Sequence, residues 1–134
     1  MIFLDTGAWI ALALANDRHA RAARGLQKGI ARGEHGAMVT TSFVLNEAAT
    51  HIRMEGDVET AARFVRALLE SESVTVVWID AAKFRGSLDL FQQSADKRWS
   101  FTDCASFVVM RELGIERAFS FDHNFEEAGF VRLP

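Results

Sequence analysis

Apolar and polar positions follow one another along this chain in two patterns: short continuous apolar runs, and longer segments with apolar residues at helical spacing. The short runs predict buried strands, and the longer segments predict helices. The predicted strands are Ile2–Leu4, Ala37–Thr40, Val74–Ile79, Ala118–Phe121 and Val131–Leu133. The predicted helices are Thr6–Ala15, Arg18–Arg32, a segment from Thr41 or Ser42 to about Met54, one from Asp57 to about Glu70, one from Asp80 to about Ala95, and Thr102–Leu113. A short turn or helix is expected before the last strand.

Helix boundaries are marked by capping residues. Asp17, Asp57 and Asp80 each precede a predicted helix and are expected to act as N-caps. Gly56 and Gly114 follow the third and the last long helix, where glycine commonly ends a helix. The elements are therefore separated by short, well-defined turns.

The order of these elements predicts the fold class. Strands alternate with helices and consist of continuous apolar runs, which is typical of a mostly parallel sheet covered on both faces. We therefore expect an α/β three-layer sandwich, with ligands at the carboxyl ends of the strands near the point where strand order reverses. No internal repeat or Pro/Ser-rich linker appears, and Pro134 is the only proline, so residues 1–134 are expected to form one domain.

Composition and charge narrow the function classes. The chain has 134 residues, of which 49% are hydrophobic and 25% charged, and its formal net charge is −3. This slightly negative net charge argues mildly against a protein that binds nucleic acid through its overall charge alone. It leaves open a local group of basic residues around an acidic metal site. Cys104 is the only cysteine, so neither a disulfide framework nor a thiolate zinc site is expected.

No targeting or membrane segment is predicted. The longest apolar run, Trp9–Ala15, is too short to cross a bilayer. The amino terminus lacks the basic segment followed by an apolar run that marks a signal peptide. We therefore expect a cytoplasmic protein without a membrane partner.

Two aspartates follow predicted strands directly. Asp5 comes after Ile2–Leu4, and Asp122 comes after Ala118–Phe121. If these strands are parallel neighbours, both carboxylates emerge at one edge of the sheet. The alternative is that each aspartate simply caps the helix that follows it.

Glu47 occupies an unusual place in its predicted helix. Its neighbours at helical spacing are Phe43, Val44, Ala48 and His51, which puts a carboxylate in the apolar stripe. Buried charges need a partner because desolvation is costly. The glutamate is therefore either a ligand in a site or the partner of an arginine, and the helix alone leaves both interpretations open.

Asp103 is the only charge in the apolar segment Phe101–Met110. Ser100 stands three residues before it, so the two fit a capping box at the start of a helix. The capping box explains the acid, but it does not explain why the helix behind it is apolar all round. An acid at the buried beginning of a helix is a candidate metal ligand.

Four such carboxylates can lie close together if a divalent cation lies among them, because its positive charge offsets their mutual repulsion. Mg²⁺ and Mn²⁺ prefer oxygen ligands, and with such an ion the cluster can activate water for attack on a phosphodiester. Competing chemistries have weaker support: the four histidines lack zinc-ligand spacing, and no phosphate-binding glycine-rich loop is present. Cys104 is expected to be a small core residue rather than a nucleophile.

Four short motifs resemble those of a known family. They are Ile2–Thr6 at the amino terminus, Val44–Glu47 in an early helix, Ser100–Cys104 late in the chain and Phe121–Phe125 near its end. In this order they resemble the PIN domain, and more narrowly the VapC toxins of bacterial and archaeal toxin–antitoxin pairs. The resemblance covers the whole chain.

The resemblance implies a central parallel sheet flanked by helices, an acidic pocket that binds Mg²⁺ or Mn²⁺, and endoribonuclease activity. It also implies homodimerisation and inhibition by a small cognate antitoxin. The residues that match the family's acidic quartet are Asp5, Glu47, Asp103 and Asp122. Thr6 and Ser100 match the hydroxyl residues beside the quartet, and Asp96 stands where some members carry a further acid.

Two other functions remain as alternatives. An aspartate-based phosphatase would use Asp5 as a nucleophile, but the related dehalogenase-like enzymes need a second aspartate two positions later, where this chain has Gly7. A non-catalytic module could keep the scaffold and bind RNA or a protein, although the complete quartet argues against it. Neither the RNA that is cut nor the antitoxin can be named from the sequence.

Overall fold

Five short strands and seven helices make up the computed structural model, which describes residues 1–134. The strands are β1 (Ile2–Leu4), β2 (Met38–Thr41), β3 (Val74–Val77), β4 (Arg117–Phe119) and β5 (Val131–Leu133). The helices are α1 (Thr6–Ala13), α2 (Ala20–Ala31), α3 (Ser42–Glu55), α4 (Val58–Glu70), α5 (Ala81–Gln93), α6 (Phe101–Leu113) and α7 (Asn124–Glu127).

The strands form one sheet in the order β3-β2-β1-β4-β5, and every neighbouring pair is parallel. Helices cover the sheet, which confirms the predicted α/β sandwich. The central strand, β1, is fully buried on both faces, as its uninterrupted apolar sequence predicts. None of the helices has the combination of length and apolar character that a membrane crossing requires.

Strand order reverses beside β1. The chain runs from β1 outward through β2 to β3, then returns to place β4 on the other side of β1. In parallel sheets a crevice opens at such a point, outside the carboxyl ends of the two strands. The residues that follow β1 and β4 therefore border this crevice and are candidates for a functional site.

Two strands end earlier than the sequence predicts. β3 stops at Val77, opposite Thr41, because β2 gives way there to α3 and leaves Trp78 and Ile79 without a ladder partner. β4 stops at Phe119, opposite Leu4, for the same reason. Strand length is thus set by the neighbouring strand, and Asp122 follows β4 after a short turn rather than directly.

Most of the predicted helix caps are present. The side chains of Thr41, Asp57 and Asp80 accept hydrogen bonds from backbone N–H groups in the first turns of α3, α4 and α5. Gly114 ends α6 in the left-handed conformation, with φ 67°.

The prediction for α2 is wrong at its start. The helix begins at Ala20 rather than Arg18, and its N-cap is His19. Asp17 accepts a hydrogen bond from the His19 backbone instead, at 2.9 Å, and so closes the turn before the helix. α1 likewise ends at Ala13 and α5 at Gln93, each two residues before the predicted end.

Candidate active site

A cleft of about 870 Å³ lies at the carboxyl ends of β1 and β4, at the reversal of strand order. Its acidic lining residues are Asp5, Asp17, Glu47, Glu55, Asp103 and Asp122. All four carboxylates singled out from the sequence therefore meet in one cleft, together with Thr6 and Ser100. This is the place that the parallel-sheet rule predicts for a ligand.

Asp5 is placed by the end of β1. Its backbone N–H donates to the carbonyl of Phe119 at 3.1 Å, and its Oδ2 accepts a hydrogen bond from the Ser120 hydroxyl at 3.0 Å. The residue is only 8% exposed. Burial, together with the charges of Asp103 and Glu47, raises the pKa of Asp5 to about 7, against the lowering effect of the hydrogen bonds from Thr6 and Ser120.

Asp103 is held in the first turn of α6 by the predicted capping box. The Ser100 hydroxyl accepts from the Asp103 backbone N–H, and Asp103 Oδ2 accepts from the Ser100 backbone N–H, both at 3.0 Å. Burial raises the pKa of Asp103, and the charge of Asp122 acts in the same direction. Hydrogen bonds from Ser100 and Asn124 oppose this shift. The same acid therefore caps the helix and faces the cleft.

Asp122 is joined to the other acids by two buried polar side chains. Asn124 Nδ2 donates to Asp103 Oδ2 and to Asp122 Oδ2, each at 3.2 Å. The Ser120 hydroxyl donates to Asp5 and accepts from the Asp122 backbone N–H at 3.0 Å. Asn124 thus joins the carboxylates of Asp103 and Asp122, and Ser120 joins the Asp5 carboxylate to the Asp122 backbone.

Neither Ser120 nor Asn124 was identified from the sequence. Both stand two residues from Asp122, one before it and one after it. Polar residues at alternate positions in a turn can point to the same side, so the pattern Ser-Phe-Asp-His-Asn carried a weak indication. Their partners Asp5 and Asp103 lie far away in the sequence, and only the folded chain shows them.

The expectation that Glu47 lies in a buried stripe is wrong. Val44 and Ala48 are buried beneath α3, but Glu47 is exposed and faces the cleft, with its Oε2 accepting a hydrogen bond from the Thr6 hydroxyl at 3.1 Å. Helical spacing predicts the face on which a residue lies, but not that this face borders an open cleft. Glu47 needs no arginine partner because water reaches it.

Asp96 is not brought to the cleft. It lies in the loop before α6, its side chain is 78% exposed, and its nearest cation is Lys97 at 3.8 Å. We therefore expect Asp96→Asn to leave the RNA cleavage that the sequence resemblance implies within about twofold of the unchanged protein, as for an ordinary surface substitution. A comparison of initial cleavage rates tests this, and a loss of tenfold or more would restore Asp96 to the site.

Basic side chains stand in the same cleft. Arg18 and Arg98 line it and are exposed, so both can reach a bound phosphate. Arg132 lies outside the cleft and has other partners: it donates to Glu126 at 2.7 Å and to the Ser120 carbonyl at 3.3 Å. The cleft is thus lined both by the acidic side chains and by the guanidinium groups of Arg18 and Arg98.

The donor chemistry of the cleft suits a hard divalent cation. All four candidate ligands offer carboxylate oxygens, and both hydrogen bonds that Asp103 accepts go to Oδ2, which leaves Oδ1 available. The side chains as they stand do not form a group of three that could hold a metal ion. The residue types fit the ion, and closing around it requires rotation of side chains such as exposed Glu47.

Comparison with known proteins decides the family. The model of the PIN domain matches residues 2–131, nearly the whole chain. The chain belongs to the PIN-domain family. The match of this PIN domain to the family model therefore covers β1 to β4, all seven helices and every residue that lines the acidic cleft.

Relatives of this PIN domain have been described in Mycobacterium tuberculosis. It is 32% identical over 133 residues to a protein named 23S rRNA-specific endonuclease VapC20, with 99% of this chain and 98% of the relative covered, and the match is the same in two strains. The crystal structure of VapC20, described as a sarcin–ricin loop cleaving toxin, superposes with a TM-score of 0.88 at 30% identity. That match covers 98% of this chain and 97% of VapC20.

Asn124→Ala is expected to separate the acids that Asn124 joins. The substitution removes both hydrogen bonds from Nδ2 and leaves Asp103 and Asp122 to repel one another. We expect the metal-free protein to lose about 1–3 kcal/mol of unfolding free energy, and RNA cleavage to fall by about 10- to 100-fold. Urea unfolding and cleavage rates measure the two effects, and unchanged values in both would show that the link has no role.

Proposed function

We propose that this protein is a divalent-metal-dependent endoribonuclease, the toxin of a toxin–antitoxin pair. The observation that carries the proposal is the meeting of Asp5, Glu47, Asp103 and Asp122 in one cleft, at the ligand-binding edge of the sheet. Full-length similarity to a protein named as an endonuclease toxin supports it.

The four carboxylates would hold Mg²⁺ or Mn²⁺, with Asp5 and Asp103 as the main ligands and Glu47 and Asp122 completing the set. A bound ion of this kind stabilises the charge that develops on a phosphodiester in hydrolysis and activates the attacking water. No histidine base is needed in this scheme.

Other cleft residues arrange these acids. Ser120 fixes Asp5, and the Ser100 backbone and Asn124 fix Asp103, so neither main carboxylate is free to turn away. Thr6 tethers Glu47 from across the cleft. Arg18 and Arg98 line the same cleft and would bind phosphate groups of the RNA.

The proposed substrate is ribosomal RNA. VapC20 is named as a 23S rRNA-specific endonuclease, and its structure is described as that of a toxin that cleaves the sarcin–ricin loop. Near-complete coverage of both chains supports a shared kind of substrate, although one third identity allows a different cleavage position.

Primer extension on total RNA tests the proposal. The purified protein, freed of any co-purifying partner, is incubated with total RNA and Mg²⁺ or Mn²⁺, with EDTA as a control. We expect one discrete stop in the large-subunit rRNA, absent with EDTA. Intact RNA, with metal binding still detectable by titration, would favour a non-catalytic binding module instead.

Two protein partners form part of the proposal. The first is a small cognate antitoxin, as the relationship to a toxin implies. The second is another copy of this chain. Trp78 is 65% exposed and Leu69 49%, and both border a small apolar groove on α3 and α4 that a homodimer would cover. Sedimentation equilibrium measures the molar mass in solution and so distinguishes a monomer from the proposed homodimer.

A further inference from the structure

Two aromatic rings lie flat on one another at the wall of the cleft. The rings of His19 and Phe121 have centroids 3.9 Å apart and are inclined by only 7°. His19 is the N-cap of α2, and Phe121 lies in the turn after β4, so the stack joins two distant parts of the chain. Both residues line the same cleft as the four carboxylates.

The stack is supported from the inner side. The edge of the Phe119 ring packs against Phe121, with centroids 5.4 Å apart, and a Cβ placed on Gly7 would come within 3.6 Å of the Phe121 ring. The Asp17 carboxylate accepts a hydrogen bond from the His19 backbone N–H at 2.9 Å. His19 has no aromatic neighbour besides Phe121, is half-buried and lines the cleft, so it is the outer member of this two-ring platform.

Charge alone explains RNA binding in this cleft poorly. Six carboxylates line it, against two arginines, Arg18 and Arg98, and one proposed divalent cation, so the lining keeps a formal negative charge. A polyanion that enters such a cleft gains from contacts that do not depend on charge, and base stacking on an aromatic ring is the strongest of these. Flat rings that accept an unstacked base are also the usual means of recognising single-stranded loops of RNA.

We propose that His19, backed by Phe121, stacks one unpaired nucleobase of the RNA substrate next to the bond that is cut. Phe121 immediately precedes Asp122, and Gly7 lies two residues after Asp5, so a base on this platform adjoins the acidic centre. The inference rests on the proposed ribonuclease function and adds a residue that selects the substrate.

Equilibrium binding tests the platform. The probe is a fluorescein-labelled RNA stem-loop with the sarcin–ricin sequence, or the segment that primer extension identifies, and all proteins carry Asp5→Asn so that the RNA stays intact. We expect His19→Ala to weaken binding by between about 5-fold and about 100-fold, the usual range for the loss of one stacked base. His19→Phe, which keeps a flat ring, is expected to restore most of this affinity.

Salt dependence separates stacking from charge. The loss caused by His19→Ala is expected to be the same at about 50 mM and about 200 mM KCl, whereas Arg18→Ala should make binding less sensitive to salt. His35→Ala is the matched control, since His35 is also half-buried but lies outside the cleft, against Arg117. It should bind RNA as the parent protein does.

A spectroscopic signal identifies the base. 2-Aminopurine is placed at each loop position in turn, and its fluorescence is expected to be quenched at one position by the parent and by His19→Phe, but not by His19→Ala.

Unchanged RNA affinity in His19→Ala, while the unmodified protein cuts RNA, would overturn this inference alone. Absence of any RNA cleavage would overturn the proposed function together with it.

Discussion

The Asp103→Asn variant is expected to lose RNA cleavage by on the order of 10²- to 10³-fold or more while it keeps its fold. Both hydrogen bonds that the side chain accepts, from the Ser100 backbone and from Asn124, go to Oδ2. An asparagine that places its carbonyl oxygen there keeps both bonds and loses only the negative charge. The variant therefore separates the role of Asp103 as a helix cap from its role in the cleft.

Cleavage rates and circular dichroism measure the two roles in one preparation. Asp5→Asn should behave in the same way, because asparagine can still accept from the Ser120 hydroxyl. Asp89→Asn serves as the control, as it changes an exposed aspartate on α5 outside the cleft. If both Asp103→Asn and Asp5→Asn cut RNA at the parent rate, the acidic cleft is not the active site.

The second large effect is expected in the stability of the metal-free protein. In EDTA, Asp5→Asn should raise the free energy of unfolding by about 4 kcal/mol at pH 8 and by almost nothing at pH 4. The pKa of Asp5 is raised from 3.8 to about 7 in the folded protein, chiefly by burial. Between these values the folded state binds a proton that the unfolded state does not, so stability falls as pH rises from about 4 to about 7.

Urea unfolding at several pH values measures this slope. Asp57→Asn provides a control of opposite sign, because the Thr60 backbone N–H lowers the pKa of Asp57. The stabilisation from Asp57 is present above its unfolded pKa of 3.8 and is lost only as pH falls below that value, so its substitution should destabilise about equally at pH 8 and pH 4 and less at more acidic pH. A stability difference between Asp5→Asn and the parent that does not change with pH would contradict the burial of a charged Asp5.

Local sequence determined much of the fold. The apolar run of β1 predicted a buried central strand, and the side chains of Asp57 and Asp80 begin helices where expected. The errors lie at element ends. β3 and β4 are cut short by the neighbouring strands, and the turn at Asp17 delays α2, and none of these limits is encoded in the segment itself.

The candidate site was predictable in its charged residues but not in its connections. Asp103 could be found because a single acid in an apolar helix is conspicuous, and Asp5 because it follows a buried strand. Glu47 was selected by a burial argument that the structure contradicts, since its side chain is exposed. Asn124 and the His19 stack depend on contacts between distant segments, which periodicity and capping rules do not describe.

The measurement that tests the central claim most directly is metal removal and replacement in a cleavage assay on total RNA. The account predicts discrete fragments with Mg²⁺ or Mn²⁺, none after EDTA, and recovery of the same fragments when the ion is restored, with Asp5→Asn inactive throughout. Fragments that persist in EDTA, or that Asp5→Asn still produces, would contradict a ribonuclease that works through a divalent ion at these carboxylates.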